Sequence, residues 1–272
     1  MKKTPLILFT LMVVVALSAC GGREEGYGAG GGQSLREGST APYHSDIAQE
    51  QTYQTVLGLN ILLYPPPIDD PKFEAFGKAY LEDLVPVEFV EFMLETFDGD
   101  MGAEAVYEPV VEALQDHPFV DQVQETIYAG EPVQVGWVYG NNDTFDSLEY
   151  NGVTVTLVTA HPVILFVGDR ADMDEGTWTF DASNATAFYI PEILLVELNP
   201  DTLHSMPIQV LGETGQLTAV IVPEGVGLED ASPGDGIDQA LVANDRWVFA
   251  FPDVGDYYAG LDGSGTTIEP AD

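Results

Sequence analysis

Basic residues and cysteine are scarce in this sequence of 272 residues. Cys20 is the only cysteine, which excludes an intramolecular disulfide framework. Lysine and arginine together number 8 against 45 aspartates and glutamates, so the formal net charge is −37. Such a chain repels phosphate backbones, which excludes nucleic acid as a partner. The acidic residues are spread along the whole chain, a pattern that favours adaptation to high salt over binding of cations or basic partners.

Several motifs of common enzyme classes are also missing. The sequence contains no phosphate-binding P-loop, no dinucleotide-binding glycine pattern and no Gly-x-Ser-x-Gly nucleophile turn. After the N-terminal region, no apolar run is long enough for a membrane-spanning helix. Hydrophobic residues nevertheless make up 45% of the chain, which is enough to bury a core.

The N-terminal region has the features of an export signal. A basic start at residues 1–3 precedes an apolar stretch at residues 5–16, and Leu17-Ser18-Ala19-Cys20 resembles a bacterial lipoprotein cleavage box. We therefore predict a signal peptide at residues 1–19 and lipidation of Cys20. Membrane lipid would be a partner, and the protein would lie outside the cytoplasm, anchored in the bacterial cell envelope. Residues 20–50, rich in Gly, Ser and Glu, are predicted to form a flexible tether.

The rest of the chain divides by its hydrophobic periodicity. Residues 51–130 are predicted to form a mainly helical segment, because aromatic residues recur there at helical spacing. From residue 131 to 252 the period shifts towards two, and apolar runs follow one another about every ten residues, which predicts a β-barrel or β-sandwich. Residues 253–272 are rich in glycine and acid and are predicted to be a loose tail.

Two polar clusters interrupt these predicted strands. The first is Ser147-Leu148-Glu149-Tyr150-Asn151 and the second contains His204. Residues two apart on a strand point to the same face, so Glu149 and Asn151 can face the interior together. A later strand can then bring His204 opposite them. A buried carboxylate and imidazole in contact would stabilise each other's charge and could serve as general acid and base.

A family resemblance covers residues 71–251 and rests on the order of short segments. These segments are, in chain order, Phe73 to Gly77, Gln134-Val135-Gly136, Leu148-Glu149-Tyr150, Gly168 to Met173, Thr202-Leu203-His204, Val222 to Gly225 and Asn244 to Trp247. The sequence resembles domain of unknown function 4867, a bacterial group of cupin-like barrels. The resemblance implies a mainly β (α+β) fold, a cupin-like barrel or double-stranded β-sandwich preceded by a small helical segment.

The resemblance also implies a divalent transition metal, with Glu149 and His204 as its ligands and as the catalytic pair. Asn151 and Val155, however, stand where the family has a histidine and a second glutamate, so the metal site is expected to be degenerate. Further ligand-binding residues are predicted among the polar and aromatic residues of the predicted barrel strands, provided that their side chains face the interior. These residues are Gln134, Trp137, Tyr150, Asn151 and Glu197.

Three functions remain open from the sequence. The favoured one is a surface-anchored lipoprotein that binds a small polar ligand such as a carbohydrate, with little or no catalysis. The second is a metal-dependent sugar isomerase or lyase that uses Glu149 and His204. The third is a structural protein of the envelope. A homodimer is compatible with each of them, since the resemblance implies a cupin-like barrel and such barrels often pair.

Overall fold

The computed structural model describes residues 53–56, 60–63, 68, 70–80, 84, 86–102, 104–210, 215–231, 234–255, 257–263 and 265–269. The predicted signal peptide (1–19), Cys20 and the predicted tether (20–50) lie outside these residues. Among the described residues, none of the helices combines the length and the hydropathy needed to cross a bilayer.

Strands dominate this part of the chain. In order they are β1 (Tyr53–Val56), β2 (Asn60–Leu63), β3 (Gly77–Tyr80), β4 (Val106–Glu108), β5 (Val133–Gly140), β6 (Thr144–Phe145), β7 (Ser147–Tyr150), β8 (Val155–Thr159), β9 (Val163–Asp169), β10 (Phe180–Asp181), β11 (Thr186–Ile190), β12 (Leu194–Leu198), β13 (Thr202–His204), β14 (Ile208–Gln209), β15 (Gln216–Pro223), β16 (Leu241–Ala243), β17 (Arg246–Ala250), β18 (Leu261–Asp262) and β19 (Thr266–Glu269). The α-helices are α1 (Val87–Thr96), α2 (Glu112–Gln115) and α3 (Pro118–Ile127). Short 3-10 helices occur at Pro71–Ala75, Arg170–Asp172, Ala182–Asn184 and Gly236–Ala240.

Two large antiparallel sheets form the body of the protein. The first has the strand order β3-β12-β8-β15-β5-β4. The second has the order β11-β9-β13-β7-β17-β16, with β14 also paired to β9. Side-chain alternation on β9 shows how they pack: Val163 and Leu165 lie in the cluster shared by both sheets, whereas Ile164 belongs to the cluster on the outer face of the second sheet.

Each sheet is covered on its outer face. Helices α1 and α3 pack on the first sheet, with Phe89, Met93 and Val123 fully buried against its strands. Helix α3 is capped at its N-terminus, because Pro118 occupies its first turn and the His117 ring accepts a hydrogen bond from the Phe119 amide. The second sheet is covered by aromatic-rich connections that include Phe180.

The prediction of a mainly β fold with a small helical part is confirmed, and of the two forms that the sequence left open the double-stranded sandwich is the better description. The two sheets keep separate edges in the described residues, at β3 and β4 of the first and at β11 and β16 of the second. A closed barrel, the other form that the sequence left open, is therefore not what forms.

The predicted segment boundaries differ from the structure at both ends. Residues 51–130 contain β1 to β4 in addition to the helices, and β3 and β4 complete the first sheet. Residues 253–272 were predicted to be a loose tail, but β18 pairs with β10 and β19 pairs with β1 and β6. These strands are short and gain their hydrogen bonds from distant partners, so the local composition does not reveal them.

Candidate functional site

The central strand of the site is β7. It lies between β13 and β17, and its residue Glu149 is opposite His204 on one side and Val248 on the other. Residues directly opposite each other in an antiparallel pair share a face of the sheet. Leu148 and Phe249 point to the outer cluster, so Glu149 and His204 point between the two sheets, where both line an internal cavity.

Glu149 is held by an arginine that the sequence prediction did not include. Arg246 begins β17, two residues before the direct partner of Glu149, and is therefore its diagonal neighbour. Its Nε donates to Oε2 at 3.1 Å, and its Nη2 donates to Oε1 at 2.5 Å. The guanidinium carbon also lies 4.9 Å from the ring centre of Tyr107. Both charged side chains are mostly buried, with 21% of Arg246 and 13% of Glu149 exposed.

The side chains of Glu149, Arg246 and Tyr107 shift one another's pKa values. Burial raises the pKa of the Glu149 carboxyl, but the Arg246 guanidinium, through its charge and hydrogen bonds, holds that pKa below its ordinary value. Burial, together with the negative charge of Glu149, raises the pKa of Tyr107 to about 12. At neutral pH the group therefore contains a carboxylate, a guanidinium and an uncharged phenol.

His204 contacts Asn151 rather than Glu149. Its Nε2 is 3.1 Å from Asn151 Oδ1, and its Nδ1 is 3.3 Å from the Ser205 carbonyl. The Asn151 amide nitrogen donates to the Asp245 carbonyl, so the amide oxygen faces Nε2, and both ring nitrogens of His204 face oxygen acceptors. Burial lowers the pKa of His204, and the nearby Glu149 charge opposes this only in part, which favours a neutral ring.

Two cavities meet at this group of side chains. The inner one, between the sheets, has a volume of about 30 Å³, which is room for one or two water molecules. The outer one is a cleft of about 420 Å³. Glu149, Met206 and Arg246 line both. The remaining residues of the cleft are Glu104, Ala105, Asn141, Asn142, Thr144, Asp146, Ser147, Val248, Val254 and Tyr257.

A second carboxylate of the cleft is in a different state from Glu149. Asp146 is partly buried, and its Oδ1 accepts a hydrogen bond of 2.9 Å from the Ser147 hydroxyl. Burial raises the pKa of this carboxyl and the Glu149 charge adds to the effect, whereas the Ser147 hydrogen bond lowers it only in part. The cleft thus carries one carboxylate paired to a cation and one without such a pairing among the described ion pairs.

Some residues predicted for the site lie elsewhere. Trp137 and Glu197 face the helix side of the first sheet, where Trp137 donates to Glu108 at 3.0 Å and Glu197 accepts from Tyr80 at 2.7 Å. Tyr150 packs with the outer cluster of the second sheet, 5.5 Å from the Trp247 ring. The alternation of side chains along a strand sends all three away from the cavity.

Gln134 faces the space between the sheets, but its side chain is hydrogen-bonded to backbone groups. Its amide nitrogen donates to the Val226 carbonyl at 2.8 Å, and its amide oxygen accepts from the Gly225 amide at 2.7 Å. It is therefore occupied by the turn that follows β15. Of the residues predicted to form the site, the structure brings together Glu149, Asn151 and His204, with Val155 beside them in the inner cavity.

The side chains present do not fit a divalent metal. Both oxygens of Glu149 already accept from Arg246, Nε2 of His204 is within hydrogen-bond distance of Asn151 Oδ1, and Val155 offers no ligand atom. In the part of the chain that the structure describes, no group of three or more His, Cys, Asp or Glu side chains is arranged to hold a metal ion. A catalytic metal usually has three ligands from the protein.

A family model described as domain of unknown function (DUF4867) matches residues 66–265. The chain belongs to this family. The resemblance read from the sequence is thereby confirmed. No curated protein is significantly similar to this DUF4867 protein.

Solved structures similar to the DUF4867 protein include three proteins, each with a low TM-score. An oxalate decarboxylase of Bacillus subtilis, whose Mn(II) centres have been studied, is 7% identical with a TM-score of 0.27 and covers 48% of this chain. The match spans only 28% of the decarboxylase chain. A cupin-like protein of Thermotoga maritima is 13% identical, with a TM-score of 0.25 over 48% of this chain and 81% of its own. The non-heme alpha-ketoglutarate-dependent epimerase SnoN, from nogalamycin biosynthesis, is 14% identical, with a TM-score of 0.32 over 77% of this chain and 93% of its own.

The sequence prediction missed Arg246, Tyr107 and Asp146. A signal for Arg246 was present, because basic residues are rare: those after residue 50 are Lys72, Lys78, Arg170 and Arg246. An arginine inside a strand of such an acidic chain is a good candidate for a buried ion pair. Tyr107 and Asp146 carry no comparable signal, since the sequence is rich in both residue types.

Proposed function

We propose that this DUF4867 protein is an envelope-anchored binding protein whose outer cleft takes a small, neutral, hydroxyl-rich ligand such as a carbohydrate. The observation that supports it is the cleft of about 420 Å³ beside the Glu149–Arg246 pair. Its volume falls in the range of about 300–1,000 Å³ that is usual for small-molecule sites. The inner cavity of about 30 Å³ is too small for such a ligand.

The chemistry of the cleft supports a polar, uncharged ligand. Asn141 offers an exposed amide to the cleft. Asn142 and Ser147 already donate to the Pro207 carbonyl and to Asp146, and their remaining donor and acceptor capacity adds to the wall. Sugar hydroxyls can pair with all of these groups. Tyr257, which is 52% exposed, adds an aromatic face on which a sugar ring can pack.

The charge of the cleft supports the same ligand class. The carboxylates of Glu104, Asp146 and Glu149 face a single guanidinium, that of Arg246, and Arg246 is already paired. A small dicarboxylate would therefore meet net negative charge, on a chain whose overall charge is −37. A neutral ligand avoids this repulsion.

The alternative of a metal-dependent sugar isomerase or lyase has no supporting observation in the site. Glu149 and His204, its two predicted ligands, are each engaged with another side chain. The alternative of a purely structural protein differs from a binding protein in one measurable respect, since it requires no saturable ligand in the cleft.

Localisation follows from the sequence and is part of the proposal. Cleavage before Cys20 and acylation of its thiol would anchor the protein in the bacterial cell envelope, outside the cytoplasm. The predicted tether of residues 20–50 would then separate the sandwich from the membrane. The predicted homodimer stays a prediction.

A ligand panel tests the binding function. Purified protein without the signal region is screened with neutral mono- and disaccharides by thermal shift, and hits are titrated by calorimetry. Asn141→Ala removes an exposed amide from the cleft wall, whereas Asn184→Ala removes an exposed amide outside it. We expect N141A to weaken binding about five- to tenfold, the effect of losing roughly one hydrogen bond.

Asn184→Ala is the control for the effect of Asn141→Ala. N184A should bind with the affinity of the wild type. A panel without any saturable hit would favour the structural alternative. Equal effects of N141A and N184A would place the ligand outside the cleft.

A further inference from the structure

Arg246 occupies a singular position in this chain. It is the one arginine, and no lysine is present, among the described residues that line either cavity, and it lines both of them. The guanidinium lies between the carboxylate of Glu149 and the ring of Tyr107. Because one contact is an ion pair and the other a cation–π contact, both hold a positive charge at this point.

The position of the charge matters as much as its presence. Glu149 is opposite His204 in the sheet, and His204 contacts Asn151, so the guanidinium lies at the edge of a cluster that combines a carboxylate, an imidazole and an amide. These are oxygen and nitrogen donors of the kind that bind first-row divalent ions. The cation found beside them is a side chain of the protein.

We infer that Arg246 is a built-in cation that takes the place of a divalent metal at this centre. Its charge neutralises Glu149 through two hydrogen bonds, which leaves a metal no unshared oxygen pair of that carboxylate to chelate. A second cation next to the guanidinium would also be repelled. The centre is thus independent of metal supply and insensitive to chelators.

Two features keep the positive charge of Arg246 at this position. A guanidinium stays charged over the whole physiological pH range, and the carboxylate of Glu149 raises the pKa of Arg246 further. The arginine stem is anchored by β17, whose residues pair with β7 on one side and β16 on the other. The inference does not depend on the ligand proposed for the cleft, because it concerns the charge of the protein alone.

Chemical rescue tests this role. Arg246→Met keeps an unbranched apolar stem over Tyr107 but leaves Glu149 without its cation. In R246M the released Glu149 carboxylate, the His204 imidazole and the Asn151 amide oxygen would together offer a metal three donors. We therefore expect Zn²⁺ or Mn²⁺ alone to stabilise R246M saturably, with a rise in Tm of about 5 °C at a concentration of about 100 Kd. The wild type should show no such rise and should retain less than stoichiometric metal after dialysis, as measured by elemental analysis.

The control separates the centre from the acidic surface, which binds cations weakly everywhere. Glu149→Gln/Arg246→Met carries the same surface without the carboxylate and should lose the rescue. If R246M does not fold alone, the yield of refolding with and without Zn²⁺ gives the same comparison. A stoichiometric metal in the wild type that is lost in Glu149→Gln, or an R246M response equal to that of the double variant, would overturn the inference.

Discussion

Arg246 and Glu149 form a two-point ion pair across the neighbouring strands β17 and β7, at the boundary between the internal cavity and the outer cleft. The pair is mostly buried, and its partners are diagonal neighbours on the inner face of the second sheet. A carboxylate and a guanidinium in this arrangement stabilise each other only while both are present.

The first prediction concerns this mutual dependence. Arg246→Met should lower the free energy of unfolding by about 3 kcal/mol, because it leaves a buried carboxylate without a counter-charge. Glu149→Gln/Arg246→Met should cost less than R246M alone, since no unpaired charge remains. Denaturant titration of the three proteins measures both values. A double variant less stable than R246M would show that the pair contributes by packing rather than by charge.

The second prediction concerns acid sensitivity from His204. Burial lowers the pKa of the folded His204 below that of the unfolded chain, so the unfolded state binds more protons below about pH 6.5. Its contribution to stability is therefore complete above that pH and is lost as the pH falls towards the folded pKa. His204→Gln, which can keep a contact with Asn151, should flatten the fall of unfolding free energy in this window.

His161 provides the comparison for that experiment. Its pKa is also lowered, with burial as the largest cause and Glu192 opposing it. His161→Gln should remove a separate share of the same pH dependence, and the double variant should remove both. An unchanged slope in H204Q would mean that His204 titrates normally in the folded protein.

The third prediction concerns Asp146. Because its folded pKa is raised, the folded state binds more protons than the unfolded one between the two pKa values, and stability falls as the pH rises through that window. Asp146→Asn keeps an acceptor for the Ser147 hydroxyl and removes the charge. D146N should therefore be more stable than the wild type at neutral pH. This difference in stability should shrink at low pH, where the Asp146 carboxyl of the wild type is itself protonated. Thermal unfolding at several pH values measures it, and a D146N that is less stable at neutral pH would contradict the assignment.

The fourth prediction separates Gln134 from the binding site. Gln134→Leu leaves the Gly225 amide and the Val226 carbonyl without their side-chain partner, which should cost about 2 kcal/mol of stability. Affinity for a cleft ligand should be unchanged, because Gln134 is not part of the cleft wall. Denaturation and calorimetry on the same sample test both parts. A large loss of affinity in Q134L would return this residue to the site.

The sequence was informative where a local pattern decides the structure. Alternation and turn spacing predicted the strands around Glu149 and His204, and the same-face rule correctly described Glu149 and Asn151. Which face of each strand meets the other sheet is decided by packing over long distances. Trp137 and Glu197 therefore appeared equivalent to Glu149 in the sequence although they face the helices.

The sequence predicted the contacts between side chains less well than it predicted the fold. His204 was expected to meet Glu149, its direct neighbour in the sheet, but the carboxylate bonds diagonally to Arg246 and the imidazole to Asn151. Arg246 lies 97 residues from Glu149 in the chain, so the contact depends on the order of strands in the sheet. No local motif carries that information.

A carbon-13 NMR titration of the Glu149 carboxyl, before and after treatment with EDTA, tests most directly whether Arg246 is the cation of this centre. The account predicts a pKa below the ordinary value of a glutamate that does not change when metal is removed, and that rises in Arg246→Met. A Glu149 pKa that rises in the wild type on chelation would show instead that a bound metal holds the charge.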